Sequence, residues 1–208
     1  MDNSKAAVCL AIVYACIVQL IGAISLDSEC NISKGCFYEC TSSSDCAFLV
    51  SWIDSGDSVN YTLISAKVGR GNFWMAIGFS DDHTMGNDSV TGCKNENGVT
   101  TVFNAKNRIK GAPDILNNEG IELIDSSVVG TTFSCTFSRL KAAGITIDRF
   151  DLNQPWYLLF AKGDIRKSAL GFHGPYNMFY SEVKFAPAFK PTPAEITTPV
   201  PTQPSEVT

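Results

Sequence analysis

Histidine and methionine are scarce in this 208-residue sequence: two histidines, His83 and His173, and four methionines. Met85 stands in a polar loop, DDHTMGNDS, that follows the apolar run NFWMAIGFS. An imidazole nitrogen and a thioether sulfur can both ligate a transition metal. Residue type alone does not make them ligands, since a methionine is more often a flexible gap filler. Two histidines exclude any site needing three. No Ser/His/Asp arrangement, phosphate-cradling glycine loop or His-x-x-x-His pair occurs, so hydrolytic and phosphoryl-transfer chemistry have no foothold.

The elements that must position these residues read as strands. AFLVSWI (Ala47 to Ile53) is short, apolar and rich in strand formers. SVNYTLISAKV (Ser58 to Val68) alternates, with Val59, Tyr61 and Leu63 on one face, and DSGD between the two segments is a turn signal. In NFWMAIGFS, Phe73, Met75, Ile77 and Phe79 share one face. Trp74, Ala76 and Gly78 share the other, where small residues let a further layer come close. Thr100 to Asn104, Ile121 to Ile124, Thr131 to Phe137, Trp156 to Gly163 and Phe179 to Ala186 complete the expected strands, with one helical turn over Ser138 to Ala143. Many short strands separated by turns predict a sandwich or barrel.

Six cysteines follow an N-terminal apolar segment: Cys30, Cys36, Cys40, Cys46, Cys93 and Cys135. In an exported chain an even count reads as three disulfides, although six cysteines permit 15 pairings. The first four are crowded together and read as an N-terminal staple, which leaves Cys93 and Cys135 to join distant segments. The competing zinc knuckle has looser spacing than such sites use. Lys5 before an apolar run, with Ala23 and Ser25 at its end, reads as a secretory leader cleaved before Leu26. The sequons at Asn31, Asn60 and Asn87 agree with export, and a buried Met85 would crowd a glycan on Asn87. A formal charge of -5 with scattered Lys and Arg gives no electrostatic case for nucleic acid. The expected organisation is a leader over 1–25, a cysteine-rich segment over 26–46, the sandwich over 47–186 and a Thr/Pro-rich tail over 187–208. No membrane span is expected in the mature chain.

Together, WMAIGFSDDHTMGNDSVTGC, WYLLFAKG and SALGFHG resemble a DOMON domain, of the type found in ferric-chelate reductase 1-like proteins. The resemblance covers about Cys30 to Phe185. It implies an all-β, immunoglobulin-like antiparallel β-sandwich with a disulfide-stapled N-terminal segment. It also implies a haem b held at one end by a methionine from the first loop and a histidine from the late loop. By position these axial ligands are Met85 and His173. With both axial positions filled, electron transfer rather than oxygenation is the implied role. His83 is the rival ligand, but the matching family position is the methionine. Met178 lies too close to His173 in sequence to face it, and Met75 reads as core. Trp74, Phe79, Phe172, Tyr176 and Phe179 are candidates for a porphyrin lining or for ordinary core. Asp88 is expected to hold the loop through backbone hydrogen bonds, and Gly86 to supply a backbone angle closed to other residues.

Ferric-chelate reductase-like proteins continue into a six-helix cytochrome b561 membrane core that is absent from this sequence. The resemblance therefore implies a secreted electron-transfer domain rather than a complete reductase, with a membrane cytochrome b561-type protein as a candidate redox partner. The second function class is a haem-free extracellular recognition or adhesion module for glycans or a protein partner, in which Met85 and His173 only fill space.

Overall fold

The computed structural model describes residues 23–66, 68–69, 71–142, 148–174 and 177–186. Every helix or strand element among them is a β-strand: β1 (Gly35–Ser42), β2 (Asp45–Asp54), β3 (Ser58–Ser65), β4 (Phe73–Ser80), β5 (Asp88–Glu96), β6 (Val99–Asn107), β7 (Asp114–Leu116), β8 (Ile121–Val129), β9 (Thr132–Leu140), β10 (Tyr157–Arg166), β11 (Ala169–Leu170) and β12 (Met178–Tyr180). They form a five-stranded sheet, β1-β2-β3-β9-β8, and a seven-stranded sheet, β11-β10-β4-β5-β6-β7 with β12 also on β10. All of these pairings are antiparallel, and the two sheets make the expected sandwich.

Alternation decides which side chains enter the space between the sheets. Phe73, Met75, Ile77 and Phe79 of β4 are buried there with Val59, Tyr61 and Leu63 of β3 and Phe133 and Phe137 of β9. Phe48 stacks on Phe160 across the sandwich at 4.2 Å between ring centroids. The disulfide Cys93–Cys135 joins β5 of one sheet to β9 of the other. Cys30–Cys36 and Cys40–Cys46 flank β1. The cysteine-rich stretch is thus built into the sandwich, because residues 35–42 pair with β2 as an edge strand.

Two local expectations change. The helical turn expected from Ser138 is instead the end of β9, which stays paired with β3 and β8 through Arg139. β5 was not foreseen as a strand, because its inward residues Ser89, Thr91 and Asn95 are polar and break the apolar alternation. The expected leader up to residue 22 and the tail from residue 187 lie outside the described residues. At the leader's end, Ile24 is buried and bridged to Cys46, and the Leu26 amide donates to the Ser43 carbonyl. No helix among the described residues is long and apolar enough to cross a membrane.

The Cys93–Cys135 bridge spans a sequence separation of 42. A loop of that order stabilises a fold by roughly 3–4 kcal/mol through the unfolded chain. The double variant Cys93→Ala/Cys135→Ala is expected to lose about 3 kcal/mol in denaturant unfolding, or roughly 6–12 °C in Tm. A loss below about 1 kcal/mol would mean that core packing alone sets the sheet-to-sheet geometry.

Candidate functional site

The central rows of the outward face of the seven-stranded sheet carry small residues, and Trp74, Ala76, Phe103 and Ala105 on that face are buried. Trp74, Ala76 and Gly78 of β4 stand opposite Gly163, Ala161 and Leu159 of β10. On the other side they face Lys94, Gly92 and Val90 of β5, and Gly92 and Val90 face Phe103 and Ala105 of β6. Directly opposed residues point to the same face, so these side chains share one surface. Trp74, Ala76, Phe103 and Ala105 form an apolar cluster there, with Val90, Ala161, Ile165 and Leu170 packed against it. A side chain at Gly92 would run into the Met75 carbonyl and the Ala76 methyl. The surface is therefore kept flat by close approach of β4 and β5.

The Met85 loop leaves β4 at Ser80, opposite Tyr157, and enters β5 at Asp88. Gly86 has φ 147°, an angle that side chains rarely tolerate, and its amide donates to Asp88 Oδ2 at 2.7 Å. Asn107 Nδ2 donates to the same oxygen at 3.3 Å, and Lys106 Nζ donates to the Asn87 carbonyl at 3.0 Å. The expected roles of Asp88 and Gly86 are both realised in these contacts. Asp88 is fully buried, and burial pushes its carboxyl above the ordinary carboxylate range. The Ser80, Gly86 and Asn107 donors pull the other way without cancelling that effect. Met85 itself is half-buried. His83 is exposed, with its ring 4.2 Å from Tyr157 and 5.0 Å from Tyr180. Tyr157 and Tyr180 belong to the outward rows, so the loop bends over the outer face at His83.

His173 lies in a short excursion from the edge of β10. The chain leaves where the Gly171 amide bonds the Asp164 carbonyl and returns where the Lys162 amide bonds the Asn177 carbonyl. Trp74 Nε1 donates to the Gly171 carbonyl at 3.2 Å, and Asn177 Nδ2 donates to the His173 carbonyl at 2.9 Å. His173 Nδ1 is 2.7 Å from the Gly174 carbonyl oxygen. A carbonyl can only accept, so Nδ1 carries the proton and the Nε2 lone pair is left for a ligand. Metal-binding histidines are commonly oriented in this way.

These two loops border the same sheet face but spring from different points on it. Tyr157 and Gly163 are six residues apart on β10, about 20 Å at ~3.3 Å per residue. A cleft of about 530 Å³ lies between the edge strands β1 and β12, lined in part by Phe37, Tyr38, Met178 and Tyr180. A smaller one of about 60 Å³ lies at the base of the His173 loop beside Trp74, Gly163 and Asn177. Neither is lined by Met85 or His173. No group of three or more His, Cys, Asp or Glu side chains placed to hold a metal ion occurs among the described residues.

The expected lining residues divide. Trp74 packs on the small-residue face, and Phe172 is 81% exposed beside His173. Phe79 is buried between the sheets, and Phe179 packs against the same inter-sheet core, because both occupy inward positions. Tyr176 lies outside the described residues. Met75 is core, as expected. Met178 stands opposite Ala161 on the outward row, a placement that depends on register and leaves no mark in the sequence. Asn31 and Asn87 are exposed, with φ of 61° and 59°, while Asn60 is half-buried within β3.

The DOMON domain family profile matches residues 44–163, which include the Met85 loop and most of the small-residue face but stop short of His173. The chain is 28% identical over 162 residues to a putative ferric-chelate reductase 1 homolog of Drosophila melanogaster, covering 73% of this chain and 25% of that protein. It is 31% identical over 150 residues to putative ferric-chelate reductase 1 of Danio rerio, covering 69% of this chain and 26% of that protein. The chain thus spans about a quarter of the length of these curated relatives. Among solved structures, the cytochrome domain of Myriococcum thermophilum cellobiose dehydrogenase aligns at 15% identity with a TM-score of 0.49, over 69% of this chain and 78% of that one. The profile match extends over more than half of the chain, from the start of β2 into β10. On that ground this β-sandwich belongs to the DOMON domain family.

Proposed function

We propose that this domain binds a haem b over the outer face of its seven-stranded sheet, between Met85 and His173, and serves in one-electron transfer. The observation that carries the reading is His173, whose Nδ1–H is held by the Gly174 carbonyl so that Nε2 is free to ligate. The small-residue face beside it, where Trp74 and Phe103 pack with Ala76 and Ala105, offers an apolar wall for a flat ring system. When bound, a haem with imidazole and thioether ligands supplies a one-electron couple of raised potential.

The chain's part is to bring the two donors together and keep water away. Met85 is three residues from its anchor at Asp88, and His173 is two from Gly171. Extended backbone of those lengths reaches about 10 Å and about 7 Å. That leaves only a few Å for the two side chains to close, so ligation requires both loops to lean inward over the sheet. Asp88 positions the Met85 loop by accepting the Gly86 amide. Trp74 tethers the other loop at Gly171.

The relatives are named as putative ferric-chelate reductases, and this chain corresponds to about a quarter of their length. The role proposed for this domain is a relay, with a membrane cytochrome b561-type protein as redox partner. The three disulfides fit an extracellular setting. One observation favours a second reading, a haem-free recognition module: the larger cleft lies between β1 and β12 and is lined by neither Met85 nor His173.

The visible spectrum of the purified protein after haem addition separates the two. Sharp reduced α and β bands are expected, lost in Met85→Ala and in His173→Ala but kept in His83→Ala. If Met178→Ala removes them instead, the sulfur donor is Met178. A colourless protein after reconstitution leaves the recognition module standing.

Asp88 gives a second test. Asp88→Ala strands the Gly86 and Asn107 donors and is expected to cost about 1–3 kcal/mol. The folded chain holds the Asp88 proton more tightly than the unfolded chain does. Stability contributed by this group is therefore greatest in acid. It declines as pH rises from the ordinary carboxylate value through the raised one, then levels off. Asp88→Asn keeps an acceptor for Gly86 and is expected to lack this slope in Tm measured from about pH 4 to about pH 7.

A further inference from the structure

We infer that a small monovalent anion, of the size of chloride or bromide, binds inside the sandwich at the guanidinium of Arg139. The inference is independent of the haem reading. Arg139 is 1% exposed and points inward from β9. Its Nη2 donates to Ser89 Oγ at 3.0 Å and to the Phe150 carbonyl at 3.2 Å. Nε and Nη1 have no hydrogen-bond partner among the described residues. A guanidinium has five N–H donors, so no described residue claims the hydrogens on those two nitrogens.

The charge is as poorly met as the hydrogen bonds. Both of Arg139's acceptors are neutral oxygens, and no ion pair forms between it and any described carboxylate. The neighbouring Tyr61 hydroxyl is pushed up by burial and stays neutral, so it supplies no counter-charge. Two further cations lie in the same end of the sandwich. Arg149, 5% exposed, donates to the Glu119 carbonyl and leaves its own Nε unpartnered. Lys106 is buried against the Phe150 ring, 4.3 Å from its centroid. Burial, with a smaller contribution from Arg149, pulls the Arg139 guanidinium down to about 10.

Arg139 does lie over the Phe79 ring, 4.5 Å from its centroid. That contact offsets only part of the cost of a dehydrated charge and occupies none of the free N–H groups. A buried water would satisfy hydrogen bonds but bring no charge. A monovalent anion does both, and Arg139 and Arg149 together give this end of the sandwich the sign that attracts one.

The test uses the full chain at fixed ionic strength, with sodium gluconate replaced stepwise by sodium bromide. A saturable rise in Tm of roughly 3 °C is expected, absent in Arg139→Met. Crystals of the unmodified protein soaked in bromide are expected to show an anomalous peak within hydrogen-bond distance of Arg139 Nε or Nη1, which decides the matter even if the variant does not fold. Equal Tm in the two salts, a bromide response that survives Arg139→Met, or only a water beside Arg139 with no anomalous signal overturns the proposal.

Discussion

The two-residue alternation of β4 is the constraint on which the molecule depends. One face of this strand delivers Phe73, Met75, Ile77 and Phe79 to the core, and the other leaves Trp74, Ala76 and Gly78 outside it. A slip of one residue would exchange these sets completely. The penalty for such a slip is large, since burying each large apolar side chain contributes about 1.5–3 kcal/mol. The register that fills the core is thus the same register that puts small residues at the centre of the outer face. Core packing and the proposed ligand seat are two consequences of one pairing, set jointly by β10 and β5.

The interior is not uniformly apolar. Towards Phe48, Phe160, Phe73 and Phe133 it is closed by aromatic contacts of 4.2 Å and 4.9 Å between centroids. Towards Ser89, Asn104, Lys106 and Arg139 it is polar and positively charged. A cation–π contact with Phe79 contributes about 2 kcal/mol when desolvated, whereas a buried unpaired charge costs several. The imbalance sits beneath the strand ends that carry the Met85 loop, because Ser89 follows Asp88 directly. Lys106 links the two environments, with its stem in the interior and its ammonium on the Asn87 carbonyl of the loop.

Much of this architecture is legible in the residues. The runs that became β2, β3, β4 and β10 are short, apolar or alternating, and the polar loop after β4 is marked by Gly86 and its flanking acids. What escapes a reading by pattern is the polar half of the interior. β5 offers Ser89, Thr91 and Asn95 to the inside, and their partners are set by pairing: Asn104 and Thr100 on the neighbouring β6 and Arg139 on the facing sheet. Arg139 reads as a surface residue until β9 is seen to continue through it. The seat of His173 is hidden for a different reason. Its excursion is defined by where the chain leaves and rejoins β10, a matter of register and not of composition.

The filled core also decides where a planar cofactor can go. Between the sheets, Phe48 stacks directly on Phe160 and the disulfide Cys93–Cys135 ties the layers together. A porphyrin there would have to displace side chains whose burial holds the fold. Outside, Ala76, Gly78, Gly92, Ala105 and Ala161 are small, and Trp74 and Phe103 pack among them. A ring seated there would lie against Trp74 and Phe103 on the same face. The two loops are what the chain has available on that side, one ending in a thioether and the other in an imidazole. In the proposed site it is the reach of these loops, rather than the sheet, that sets how closely the two donors approach.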